Sequence, residues 1–156
     1  MSDNQMIVYG NLGTEVDYRE SKGFGWAMFR LGSTPRIFDR NLGRWRDLET
    51  VWITVKASRT LGQNVASSLK VGDPVVVIGR LRSHTWEDKD TREQHQRQVL
   101  EATVVSHDLN RGTAAFTRNE PAPSQEQSTS DGEAVAEFES SHAAPLPGAR
   151  AETVPA

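Results

Sequence analysis

Residues 49–58 read ETVWITVKAS, and side chains alternate along the run: Val51, Ile53, Val55 and Ala57 point one way, Trp52, Thr54, Lys56 and Ser58 the other. A period of two predicts a strand with one face in a core and the other in solvent. Downstream the period changes. Leu61, Val65 and Leu69 are four apart, Thr60 stands in the N-cap position and Gly72 follows the end, which predicts a short amphipathic helix. Asp73-Pro74 then opens a strand over 74–86, PVVVIGRLRSHTW. Its apolar start predicts burial on both faces, while its second half alternates and puts Arg80, Arg82, His84 and Trp86 on one side. The charged run 87–96, EDKDTREQHQ, predicts a hairpin tip, and 97–107 a last strand carrying Val99, Leu100, Val104 and Val105.

Upstream, residues 5–10 predict a first strand ended by Asn11-Leu12-Gly13. A second runs from Phe24 through Leu31 toward Phe38, with Ala27, Phe29 and Leu31 on one face and Pro35 marking an edge or bulge. Residues 39–48, DRNLGRWRDL, predict a long hairpin tip centred on Asn-Leu-Gly. The order is therefore three strands, one helix, two strands. An all-β, five-stranded barrel with a short helix between its third and fourth strands is the oligonucleotide/oligosaccharide-binding (OB) fold.

The chain has 156 residues and no cysteine, which excludes disulfides, thiolate catalysis and cysteine-ligated zinc. No apolar run is long enough to span a membrane and the first residues lack a signal-peptide pattern, so the expected location is the cytoplasm, with no membrane partner. A net charge of -3 argues against a polyanionic partner until it is divided. Residues 1–118 carry 17 basic and 14 acidic side chains, whereas residues 119–156 carry 1 and 7. The latter segment draws 24 of its 38 residues from Ala, Pro, Ser and Glu, too little apolar surface to offset its ordering entropy. The expected organisation is a basic binding domain over 1–118 and a disordered acidic tail over 119–156, read first as a solubilising linker, with competition against a polyanion for the domain as the alternative.

Binding a single strand without reading its sequence needs flat π surfaces for the bases and cations along the phosphates. The alternating strands offer both: Trp52 with Lys56, and Trp86 with Arg80, Arg82 and His84. The segment between the second and third strands adds Arg36, Phe38, Arg40, Arg44, Trp45 and Arg46, and its four arginines outnumber Asp39 and Asp47. Trp26 falls on the side away from Ala27 and Phe29, at a subunit interface or in the groove. The four histidines have no metal-ligand spacing, and no phosphate loop, nucleophile elbow or two-carboxylate site appears, so the reading is a binding protein without cofactor, metal or catalysis.

The stretch MIVYGNLG at 6–13, the block 49–88 with GDPVVVIGRLRSHTW at its end, and the basic segment between them resemble bacterial single-stranded DNA-binding proteins over residues 6–109. The resemblance implies a nucleoid-associated homotetramer, a dimer of dimers, that binds single-stranded DNA in replication, recombination and repair. It also implies base-stacking aromatics at the ends of the second and fourth strands and on the third, where Phe38, Trp86 and Trp52 stand. Two positions depart from the pattern. A further aromatic six residues after the third-strand tryptophan is here Ser58, for which Trp45 is a candidate substitute. The acidic, aromatic tip that docks on replication and recombination proteins is replaced by ARAETVPA, which suggests a specialised paralogue. An oligomeric adaptor acting through protein partners is the alternative. A carbohydrate-binding barrel is a weaker one, since a neutral ligand gives no reason for the arginines.

Overall fold

The computed structural model describes residues 3–121, which form eight strands and one helix. They are β1 (Gln5–Leu12), β2 (Asp17–Ser21), β3 (Phe24–Ser33), β4 (Arg36–Asp39), β5 (Arg44–Asp47), β6 (Val51–Ser58), α1 (Arg59–Ser68), β7 (Pro74–Glu87) and β8 (Gln94–His107). The expected tail falls almost wholly outside the described residues.

Five of the strands close a barrel in the order β1-β7-β8-β6-β3, with Asn11 and Leu12 of β1 pairing back to Gly32 and Leu31 of β3. The β6–β8 pairing is parallel and the others are antiparallel. Alternation fills the interior as the sequence predicts: Val8 and Leu12 from β1, Ala27, Phe29 and Leu31 from β3, Val55 and Ala57 from β6, Val75 and Val77 from β7, and Leu100 from β8. Helix α1 adds Val65, and Leu69 just past its end, to the same cluster. The five barrel strands and the helix are the elements of the OB arrangement.

Several expectations change, beginning with the last strand, which starts at Gln94 and shortens the tip to 88–93. The long second strand is broken at Thr34-Pro35, because proline has no N–H for the ladder; β3 ends at Ser33 and β4 starts afresh at Arg36. The segment 39–48 is not all tip: β4 and β5 pair as a separate two-stranded ribbon around a turn at 40–43. The helix begins two residues earlier than the Thr60 cap implies, with Ser58 as N-cap. The apolar start of β7 is buried on one face only, since Val75 and Val77 are interior while Val76 and Ile78 stay partly exposed. An unexpected short strand, β2, pairs with the first half of β3.

The irregular apolar spacing of β8 has a local cause. Ile78 pairs with Val104 and Gly79 with Ala102, so Thr103 is a bulge, and its hydroxyl donates to the Ile78 carbonyl at 3.1 Å. The extra residue lets Leu100 and Val105 both point inward. It also puts Val99 and Glu101 on the side of the sheet away from the barrel interior, where Val99 is nonetheless covered by its neighbours and Glu101 is partly exposed. At the other end of β8, His107 Nε2 lies 3.3 Å from the Asp73 carboxylate, which also accepts the Lys70 N–H at 3.0 Å. That N–H first, and His107 second, hold the Asp73 pKa below its ordinary value against desolvation.

Candidate nucleic-acid interface

Register assembles one continuous outer face from four strands. Arg30 of β3, Thr54 of β6, Val99 of β8 and Arg82 of β7 form one row, each paired with the next. The neighbouring row is Met28, Lys56, Glu101 and Arg80. On the other side Gly32 pairs with Trp52, His84 with Arg97, and Trp86 with His95. The sequence-predicted residues Trp52, Lys56, Arg80, Arg82, His84 and Trp86 therefore share this face.

Trp52 is held by what lies beneath it. A side chain added at Gly13 would stand 2.8 Å from its Cη2, and one at Gly32 would stand 2.9 Å from its Cζ3, so the indole rests on glycine backbone. It nonetheless remains 52% exposed. The Gly13 N–H donates to the Arg30 carbonyl at 2.8 Å, which fixes the seat to β3. Trp86 is framed differently: His95 stacks on it with centroids 5.6 Å apart, and the Arg97 guanidinium lies 5.9 Å from its ring centre. It too is about half exposed, at 46%.

Phe38 and Trp45 are cross-strand partners on the β4–β5 ribbon, packed edge to face at 5.6 Å. Both are exposed. Trp45 is thereby committed to Phe38, and the residue across from Ser58 is instead Trp26. Arg36 pairs with Asp47 at 2.8 Å in the open, and Arg46 with a partly covered Asp39 at 3.4 Å. Arg40 and Arg44 have no acidic partner among the described residues. The surplus of cations on the ribbon is therefore these two.

Elsewhere the cations are loosely tied. Arg80 meets Asp3 at 3.4 Å, while Arg82 and His84 share Glu101 at 3.8 and 3.6 Å. Exposed pairs of this kind are worth about 0–1 kcal/mol, so a phosphate can displace the carboxylate. Three residues of the face were not singled out by sequence reasoning. Arg30 donates from Nη1 to Thr54 Oγ1 at 3.1 Å, Arg97 lies over Trp86, and Glu101 sits among the cations. Strand parity carries the signal for Arg30; Glu101 is placed by the bulge, which parity alone does not reveal.

A cleft of about 420 Å³ lies at the base of the β4–β5 ribbon, lined by Tyr9, Asn11, Arg36, Asp47, Asp108 and Arg111 among others. Its two arginines face two aspartates, so it lacks the cationic excess of the ribbon.

Comparison with known proteins agrees with this architecture. The chain is 42% identical over 125 residues to Single-stranded DNA-binding protein 2 of Streptomyces avermitilis, covering 76% of this chain and 73% of that one. It is 34% identical over 141 residues to the Single-stranded DNA-binding protein of Mycobacterium tuberculosis, covering 82% and 84%. The crystal structure of the small single-stranded DNA-binding protein from Streptomyces coelicolor superposes with a TM-score of 0.63 at 37% identity, over 72% of this chain and 99% of that one. With residues 3–107 matched by the model of the Single-strand binding protein family, which takes in every strand of the barrel, the chain belongs to that family.

Proposed function

We propose that this protein binds single-stranded DNA without reading its sequence, on the outer face of β3, β6, β8 and β7 and on the β4–β5 ribbon. The observation that carries the reading is the register that sets Trp52 and Trp86 on one face with Arg30, Lys56, Arg80, Arg82 and Arg97. Bases stack on Trp52, Trp86, Phe38 and Trp45; phosphates meet Arg36, Arg40, Arg44, Arg46, Lys56, Arg80, Arg82 and His84. The role is non-enzymatic protection of single strands in replication, recombination and repair, in the cytoplasm at the nucleoid.

Self-association accompanies binding. Ile7, Ile78 and Val104 are paired in register across β1, β7 and β8, with Tyr9 beside Val76 in the next row. Ile7, Tyr9 and Val104 are well exposed, and an apolar strand face of this kind suits burial against a second copy. The assembly is a homotetramer, a dimer of dimers.

Titration with oligo-dT tests the binding reading. Tryptophan emission is expected to quench strongly with oligo-dT, and only weakly with duplex DNA or an oligosaccharide. Affinity falls with salt by a log–log slope of about -0.7 per phosphate contact. Salt-independent binding, or equal preference for duplex, refutes it.

A further inference from the structure

The outer face continues past Lys56. Beyond the row of Met28 and Lys56 comes the pair Trp26 and Ser58, on the same side of the sheet. Trp26 is half-buried, Phe24 is exposed, and their rings lie 6.4 Å apart inclined at 33°. The Arg59 guanidinium lies 5.8 Å from the centre of the Phe24 ring. Arg59 has a φ of 57°, the left-handed backbone that non-glycine residues adopt only when their surroundings hold them there. Neither Arg59 nor Lys56 has an acidic partner among the described residues.

We propose that Trp26, Phe24 and Arg59 form an additional subsite for one nucleobase and its phosphate, carrying the DNA path beyond Lys56 to the junction of β3 with α1. The subsite rests on the single-strand-binding reading above and extends it to residues that reading does not use. Two π surfaces and a fixed cation are what a stacked base with an adjoining phosphate requires. The competing occupant is a second copy of the chain. Charge argues against it: Trp26 has Arg19 across from it on β2, Arg59 beside Phe24, and Lys56 two residues before Ser58. Of the acids nearby, Asp17 is engaged by Arg19 at 3.0 Å, Glu101 across from Lys56 is shared by Arg82 and His84, and Glu20 across from Gly25 falls on the opposite side of the sheet from Trp26. Two copies meeting here would bring like charges together, whereas a polyanion finds them complementary.

The test uses the full-length protein and oligo-dT carrying 5-iododeoxyuridine, irradiated in the complex and digested with trypsin. Cleavage after Lys22 and Arg30 isolates residues 23–30 with Trp26, apart from the peptides 47–56 with Trp52 and 83–89 with Trp86. Adducts on peptide 23–30 are expected together with those on the other two. Trp26→Leu, which keeps apolar bulk without a π surface, is expected to weaken oligo-dT binding about tenfold at unchanged sedimentation mass, with Trp26→Phe restoring most of it. Adducts on 47–56 and 83–89 with none on 23–30 overturn the subsite and leave DNA binding standing. A Trp26→Leu change in assembly mass without a change in affinity overturns it in favour of an interface between copies. Absence of adducts from all three peptides refutes the parent reading and the subsite with it.

Discussion

Gly13→Ala places a methyl group under Trp52 without touching DNA. Gly13 is not in the left-handed region, so its backbone accepts alanine. The new carbon would stand 2.8 Å from Trp52 Cη2, and closer still to Cζ3, whereas carbon atoms rest at about 3.5–4.0 Å. The indole therefore has to move outward by roughly 1 Å or more. Being half exposed, it has room to do so, and the fold loses little. The platform, however, leaves its seat. If stacking on one ring is worth about 1–3 kcal/mol, a general figure for single-strand binders, the ceiling on the loss is roughly 5- to 150-fold in Kd. The assay is anisotropy of a labelled oligo-dT at fixed salt, alongside thermal unfolding. Gly10→Ala is the contrast: its methyl group would stand 3.0 Å from the Gly32 carbonyl carbon, which cannot swing aside, so the β1–β3 closure should weaken and Tm fall. A cycle of Gly13→Ala with Trp52→Ala is expected to be strongly non-additive, since both remove one platform. Additive penalties, or wild-type affinity in Gly13→Ala while Trp52→Ala binds weakly, would refute the argument.

Glu101→Gln removes the carboxylate shared by Arg82 and His84. Oligo-dT affinity is expected to rise severalfold at low salt and converge on wild type at high salt; weaker binding would show Glu101 to be a support instead. Ile7→Asp puts a charge in the exposed apolar row of β1, and sedimentation should show a smaller assembly, an unchanged mass excluding that row as the interface. Asp73 titrates below its ordinary pKa of 3.8 in the folded chain. Its contribution to stability is present above that value and is lost as pH falls through the folded-state one. Asp73→Asn should flatten the stability profile in that acid range, and a profile as steep as the wild type would dismiss the Lys70 and His107 contacts as its source.

Where period-two alternation is unbroken, the sequence is sufficient: β6 and β3 emerge with the faces and, nearly, the bounds that Trp52 and Phe29 imply. Legibility fails where a backbone irregularity intervenes. Pro35 was visible, but whether it bends a strand or ends one depends on tertiary pairing, and here it ends β3. The bulge at Thr103 is invisible to residue type, and without it Glu101 cannot be assigned to the face of Arg82. Charge behaved similarly. Composition shows that the ribbon has more arginine than aspartate, but only the pairing of Arg36 with Asp47 and Arg46 with Asp39 identifies Arg40 and Arg44 as the free ones. Trp26 was legible as outward-facing; its alignment with Ser58 required the β3–β6 register.

The two best-placed tryptophans are supported in ways that salt should tell apart. Trp52 rests on the backbone of Gly13 and Gly32, which carries no net charge, so Trp52→Ala removes stacking and little else. Trp86 is framed by His95 and by the Arg97 guanidinium 5.9 Å from its ring centre. Trp86→Ala therefore frees Arg97 as well, and a cation that was oriented toward the DNA path pays more rotamer entropy for each phosphate contact. The penalty of Trp86→Ala thus has an electrostatic part that counterions screen, whereas that of Trp52→Ala does not. Measured against oligo-dT at about 50 and 200 mM salt, the Trp86→Ala penalty is expected to shrink and the Trp52→Ala penalty to hold. A Trp86→Ala penalty that holds as firmly as that of Trp52→Ala would mean that Arg97 has no part in presenting phosphate, and its place over Trp86 would then be a matter of packing alone.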